Sequence, residues 1–333
     1  MYNQTFHQED LSNYSFLVTG GAGFIGSNIV EYLLKYGAKE VRVLDNLSTG
    51  TTHNLKAFEE MPNFQFIEGD IRDIEACQQA CKNVDYISHQ AALGSVPRSI
   101  NDPATSNAVN ISGFLNMMIA AKDNQVKGMV YASSSSVYGD SKTLPKEEDK
   151  IGNPLSPYAV TKLVNEQYAR VFSSVYGLKL IGLRYFNVFG PRQSPKGPYA
   201  AVIPLFIQAL VKNQAPTIFG DGEQTRDFTF IENVVQANIK ALFANKEEAW
   251  GEAYNIGVSA RTSLNALYQI LKEKAGKDLA VNYGAPRVGD VRDSLANISK
   301  ANSLFGYDPQ VDIEEGLQIT LDWFLQKEHF HTN

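Results

Sequence analysis

The sequence predicts an α/β protein built on a doubly wound parallel sheet, with a smaller, mainly helical second lobe. Three observations carry this. Short apolar runs alternate with helical patterns from residue 16 to residue 190, the mark of βαβ units covered on both faces. A glycine-spaced turn joins the first apolar run to the first helix. After GPRQSPKG (190–197), rich in Pro and Gly, helical patterns take over and only short extended pieces interrupt them. The expected division is a sheet domain over 1–190 and a second lobe over 191–333, with elements free to cross between the two.

Taken in order, FLVTG (16–20) is an apolar strand ending in glycine, and a helical pattern runs from Phe24 to about Lys35. VRVLD (41–45), FQFIEGD (64–70) and YISHQA (86–91) read as the next three strands. One long helix is expected near 104–124, then a strand in KGMVYASS (127–134) and a helix over 157–176. KLIGLRYFNVFG (179–190) reads as the last strand of the series. Right-handed crossovers wind such strands into one doubly wound sheet. The second lobe carries helical patterns at about 200–213, 232–244, 263–276 and 313–327, with TIFGDG (217–222) extended between them.

The chain has 333 residues, long for one domain and ample for a large core. Apolar residues are 44% and charged residues 20%, which excludes wholesale disorder. A net charge of −6 argues against a nucleic-acid binder, which would show a basic face. The start, MYNQTFHQEDLSNYS, has no apolar segment of the secretory kind, and YAAVIPLFIQALV (199–211) is too short to span a bilayer. Cys77 and Cys81 stand four apart in a helical stretch without a second ligand cluster, so they read as packing thiols, and no metal is expected. A reducing, cytoplasmic setting follows as an expectation.

TGGAGFIGS (19–27) holds Gly20, Gly23 and Gly26 between a strand and a helix. Glycines there permit a tight turn and close backbone approach, and the helix N-terminus offers amides to a pyrophosphate. Asp45 ends the second strand, where a carboxylate accepts both ribose hydroxyls and repels a 2′-phosphate. NAD is therefore expected rather than NADP. Asp70, ending the third strand in GDIR, is placed to reach the adenine. SPYAVTK (156–162) puts Tyr158 and Lys162 one helical turn apart, with Pro157 in the first turn. A free phenol titrates near pH ~10, and a nearby ammonium is expected to lower that value and to hold the nicotinamide ribose. Alone, such a pair is weak in a chain with 16 tyrosines; behind the glycine turn it is far more specific.

TGGAGFIG, YASSSSVYGD (131–140), SPYAVTK and LRYFNVFGPRQ together resemble the extended short-chain dehydrogenase/reductase family, in its sugar-nucleotide branch, over nearly the whole chain. HQAALGSVPRSINDP (89–103), TRDF and GDVRDSLANISKA bring the resemblance close to bacterial UDP-N-acetylhexosamine 4-epimerases of polysaccharide synthesis. The resemblance implies a Rossmann domain with NAD and a cap that binds a UDP-sugar. It implies Tyr158 as base, Lys162 as its activator, and Ser134 bridging the phenol and the sugar O4. Around the cofactor it implies Phe24, Ile25, Asn46, Ser48, Gly50, Ile71, Gln90, Ala91, Ala92, Tyr185 and Val188, beside the glycines and acids above. Around the sugar nucleotide it implies Gly94, Ser95, Ser135, Ser136, Asn187, Ala201, Val202, Phe219, Arg226, Arg287, Asp290 and Ser294. Arg226 and Arg287 would clamp the diphosphate, for which guanidinium forks are suited.

Nucleotide-sugar 4,6-dehydratases begin with the same oxidation but then need an acid and a base beside the sugar. Similar dehydratases carry Asp-Glu where this chain has Ser135 and Ser136, and UDP-glucuronate decarboxylases carry Glu at the position of Ser136. The missing carboxylates favour epimerisation. Galactose-type epimerases carry a tyrosine where Ser294 stands and a lysine where Gly94 stands, so a 2-acetamido group is expected to fit. UDP-N-acetylglucosaminuronic acid and UDP-glucose remain open as substrates, and a non-catalytic NAD-binding role is disfavoured by the intact Ser134, Tyr158 and Lys162. The apolar helices near 104–124 and 157–176 pair across a homodimer in this family.

Overall fold

The run from Ser15 to Thr19 is buried at every position and forms β1, an interior strand of the sheet. The fold is described from a computed structural model over residues 1–196, 200–286 and 292–331. In chain order, β1 is followed by α1 (Phe24–Lys35), β2 (Glu40–Asp45), β3 (Phe64–Glu68), α2 (Ile74–Cys81) and β4 (Tyr86–His89). Next come α3 (Val96–Asn101), α4 (Pro103–Asn107), α5 (Phe114–Asp123), β5 (Gly128–Ser134), α6 (Pro157–Tyr176) and β6 (Leu180–Tyr185). The later part holds β7 (Val188–Phe189), α7 (Val202–Val211), β8 (Thr217–Phe219), β9 (Thr225–Arg226), β10 (Thr229–Phe230) and α8 (Ile231–Leu242). It ends with β11 (Glu252–Ile256), β12 (Thr262–Ser263), α9 (Leu264–Lys274), β13 (Asn282–Gly284), α10 (Ser299–Phe305) and α11 (Ile313–His331).

Seven strands form one sheet in the order β11-β6-β5-β4-β1-β2-β3, and every pairing in it is parallel. The order reverses at β1/β4, so a crevice opens at the carboxyl ends of those strands, where doubly wound sheets bind ligands. Strand pairs β7/β10, β9/β12 and β8/β13 build the smaller lobe with α7 and α9. Among the described residues no helix is long and apolar enough to cross a membrane.

The doubly wound architecture agrees with the sequence reading; three of its elements do not. The expected helix over 104–124 is broken into α4 and α5 by a π-turn over Ala108–Gly113. The extra residue turns Asn110 inward, where its amide donates to Leu93 O and Thr161 Oγ1 and its oxygen accepts from Leu93 N. The expected strand over 179–190 stops at Tyr185 and restarts at Val188, because Asn187 adopts φ +30°. The sheet also gains β11, read from sequence as part of the helical lobe, which pairs Glu252–Ile256 against Ile181–Tyr185. The chain after residue 190 thus contributes to both lobes.

Candidate active site

At the turn after β1, Gly20 has φ +68°, and a Cβ there would stand 2.7 Å from the Ala91 nitrogen. A Cβ on Gly26 would stand 2.2 Å from the Gly20 carbonyl oxygen. Both contacts require glycine, and together they leave a backbone cradle at the start of α1. A cavity of about 300 Å³ lies over it, lined by the glycine turn, Asp45 with Asn46 and Ser48, Ile71 and the Gln90–Ala92 segment. Gly94, expected at the sugar, also lines this cavity, and a side chain there would meet open space.

Asp45 is buried and accepts from Ala22 N at 3.0 Å and Leu47 N at 2.8 Å. Burial pushes its carboxyl up while those two donors pull it back. Asp70 accepts from Asn46 Nδ2 at 2.8 Å and is paired with Arg72, whose guanidinium holds the carboxyl down at about 2. Gly50 packs on Ala22, 2.8 Å from its carbonyl carbon were a Cβ present. The backbone cradle, the carboxylate of Asp45 at the end of β2 and the cavity that joins them together fit a dinucleotide.

α6 starts sharply because Ser156 accepts from Ala159 N and Pro157 occupies the first turn. That start sets Tyr158 and Lys162 on the inner face of the helix, beside the end of β5. Lys162 Nζ donates to Ala132 O at 2.7 Å and lies 5.9 Å from the Tyr158 ring centroid. Its ammonium is buried and driven down to about 8, burial being opposed by the Glu166 charge. Tyr158 shares a side-chain hydrogen bond with Ser134. The expected lowering of this phenol by Lys162 is not what the geometry gives. Burial raises the Tyr158 pKa, and the group that pulls it back is the Ser134 hydroxyl. Ser134 also accepts from Ser136 N at 3.1 Å, turning the serine run into a short helical floor. The Ser136 hydroxyl oxygen is buried without a partner among the described groups.

Two buried polar networks that the sequence reading missed support this floor. Glu166 accepts from Ser133 Oγ at 2.5 Å and forms a two-point pair with Arg184 at 2.9 and 2.8 Å. Arg184 also donates to Tyr138 Oη, which in turn donates to Asn255 Oδ1 on β11. Tyr185, expected at the cofactor, is held in a second network: Asn238 Nδ2 donates to its hydroxyl, which donates to Gln90 Oε1. His89 is buried beside Phe114 and kept neutral, its pKa driven down to about 3 by burial and then by Lys162. Glu166 was legible in principle, standing one further turn along α6 from Lys162. The partners on α8 and β11 had no local signal.

A second cavity, of about 480 Å³, lies in the smaller lobe and brings together Asn187, Val188, Ala201, Val202, Phe219 and Arg226. Val188 thus faces this cavity and not the first. α7 begins at its edge with no side-chain cap on its first N–H groups, a start suited to an anion. Arg226 Nη1 donates to Thr225 O and Arg292 O, which fixes one side of its guanidinium. Ser294 is buried, and its N–H donates to Thr225 O at 3.2 Å, beside Arg226. Ser95 caps α3 by accepting from Arg98 N, so its hydroxyl has a structural task. Arg287 and Asp290 lie outside the described residues. Among the described residues no three His, Cys, Asp or Glu groups gather as metal ligands. Cys77 and Cys81 are buried thiols pushed up to about 12.

Comparison with known proteins agrees with this architecture. The sequence profile described as the NAD dependent epimerase/dehydratase family matches residues 16–257. A putative UDP-glucose 4-epimerase of Methanocaldococcus jannaschii is 40% identical over 310 residues, 92% of this chain and 97% of that protein. The solved UDP-N-acetylglucosamine 4-epimerase of Methanobrevibacter ruminantium M1, in complex with UDP-N-acetylmuramic acid, superposes with a TM-score of 0.89 at 39% identity, covering 94% of this chain and 99% of that one. The UDP-glucuronic acid 4-epimerase of Bacillus cereus, in complex with UDP-glucuronic acid and NAD, gives 0.87 at 34% identity, covering 94% and 99%. With its glycine cradle, Ser-Tyr-Lys constellation and second cavity in the cap, the chain belongs to the NAD dependent epimerase/dehydratase family and stands beside its UDP-sugar 4-epimerases.

Proposed function

We propose that this enzyme interconverts UDP-N-acetylglucosamine and UDP-N-acetylgalactosamine at C4, in the service of surface polysaccharide synthesis. NAD, when bound in the first cavity, supplies the acceptor and donor of hydride for C4. Everything else belongs to the chain. Tyr158 takes the proton from the sugar O4 and later returns it, and Ser134 holds O4 against the phenol. Lys162 holds the nicotinamide ribose and keeps a positive charge near the reacting centre. The 4-keto sugar turns over in the pocket between the two half-reactions, anchored by its diphosphate at Arg226 and the α7 start. Ser135 and Ser136 provide neither acid nor base for water elimination, so the ketone is returned to the alcohol.

The N-acetyl preference is supported by one residue: Ser294, buried beside the Arg226 strand, stands where galactose-type epimerases carry a tyrosine, and a smaller side chain there favours a 2-acetamido group. Substituting Ser294→Tyr should lower kcat/KM for UDP-N-acetylglucosamine by at least ~30-fold and spare UDP-glucose, since bulk in a fitted pocket costs a few kcal/mol. The check is side-by-side kinetics on UDP-N-acetylglucosamine, UDP-glucose and UDP-glucuronic acid. Equal losses on all three would remove this basis for specificity. A cofactor lobe over 1–190 and a cap over 191–333, with β11 and α8 crossing back to the sheet, and a homodimer built on α6 belong to the same proposal.

A further inference from the structure

Asp227 follows the clamp arginine in TRDF and is wholly buried. Its carboxylate is a hub for backbone. Asp227 Oδ1 accepts from Val258 N at 2.8 Å, Oδ2 accepts from Ala296 N at 3.0 Å, and Ser259 N is a further donor. Gly257 lies so close that a Cβ there would stand 2.8 Å from Oδ2. The Asp227 carbonyl oxygen accepts from Asn187 Nδ2 at 3.2 Å. One residue therefore ties the turn after β11 and the segment after Ser294 to the strand that carries Arg226, and touches Asn187 as well.

We propose that Asp227 is a positioning residue for substrate binding: its buried carboxylate draws the 257–259 turn and the 294–296 segment onto the Arg226 strand and so sets the wall of the UDP-sugar pocket. The inference rests on the UDP-sugar reading of the second cavity. Asp227 touches no substrate itself. Its charge is informative, because a buried carboxylate is costly unless its hydrogen bonds are worth the cost. Here burial pushes its pKa up to about 6, and the pull back comes from the three backbone donors.

A folded-state pKa above the unfolded value means that the folded chain binds the proton more tightly. The ionised hub thus costs stability at pH 7, and that cost is relieved as pH falls from about 6 towards 4. Protonation also places a hydrogen where a backbone N–H must point, which loosens the hub. Acidification therefore raises the hub's stability contribution while weakening the pocket, a pairing that a packing role would not produce. The ionisable groups around it are Tyr307, whose hydroxyl donates to Gly257 O at 2.7 Å, Arg226, turned to backbone carbonyls, and Asp293, which accepts from Thr225 Oγ1.

The test compares wild type and Asp227→Asn with a UDP-sugar, a diphosphate diester with no ionisation of its own near pH 6. Expected for Asp227→Asn at pH 7 are undiminished bound NAD, a Tm at or above wild type, a KM raised about tenfold and kcat within about twofold. Wild-type KM should rise as pH falls below about 6, and the variant should stay flat there. An unchanged KM, or a raised KM accompanied by lost NAD and a lower Tm, would overturn the proposal. If the variant does not fold, the wild-type series decides: a KM flat from pH 7 to 5 overturns it, and a rising KM with undiminished Tm supports it. Wild type inactive on every UDP-sugar would sink the substrate reading instead.

Discussion

Lys162 carries its charge where burial works against charge, and that tension yields a residue-scale prediction. The ammonium is 2% exposed, and burial pushes its pKa down from 10.5 to about 8. That shift is about 3 kcal/mol of disfavour for the charged form. For a base whose folded pKa is depressed, the cost is full below about pH 8 and fades as pH rises from 8 towards 10.5. Lys162→Met should therefore melt a few degrees above wild type at pH 7, with the gap closing by pH 10, while kcat falls by at least ~100-fold. Calorimetry at the two pH values checks this, and a variant melting several degrees lower would show the ammonium to be a net stabiliser. The pair Tyr158 and Lys162 was legible from spacing alone. Glu166, which keeps Lys162 from falling further, was not read because its partners Ser133 and Arg184 sit on two strands distant in sequence.

At the scale of elements, α6 has two faces with different tasks. Its inner face buries Ala159, Lys162, Asn165, Glu166, Ala169 and Phe172 against the sheet. Its outer face leaves Val160, Tyr168, Val171 and Val175 between 37% and 64% exposed, at spacings that fall on one helical stripe. Such a stripe of large apolar side chains is costly in water and suits a second copy of the same helix. The double substitution Val171→Asp and Val175→Asp should convert a dimer into a monomer with its fold retained. Sedimentation of both proteins tests this, and a wild type already monomeric at micromolar concentration would refute the dimer. The broken helix at 108–113 shows where element reading stops. The apolar period continues through AVNISGF, so periodicity predicts one helix. The π-turn arises from Asn110 reaching Leu93 and Thr161, contacts that exist only after folding.

On the scale of the whole molecule, the first six strands of the sheet were legible because each is a short apolar run, and most are followed by a helix. β11 was not, because EAYNI follows a helix of the later region and looks like any short extended piece there. Only the edge left open by β6 gives it a place. α8 has a similar history: it read as a cap helix, yet it packs against β4, β5, β6 and α1. One apolar core accordingly runs from Phe16 and Val43 through Val235 and Ile239 to Phe206 and Leu267. A boundary at residue 190 cuts that core. In a fragment of residues 1–190, β6 would become an exposed edge, the sheet face under α8 would open to water, and Gln90, Ser88 and Tyr185 would lose Asn238. The fragment is thus expected to show no cooperative melting and no retained NAD, and the full chain to melt in one transition because one core joins its lobes. Calorimetry and near-UV circular dichroism of the two proteins provide the measurement. A fragment with a sharp transition and bound NAD would mean that the sheet folds without the later chain, and that β11 and α8 only decorate a core already complete.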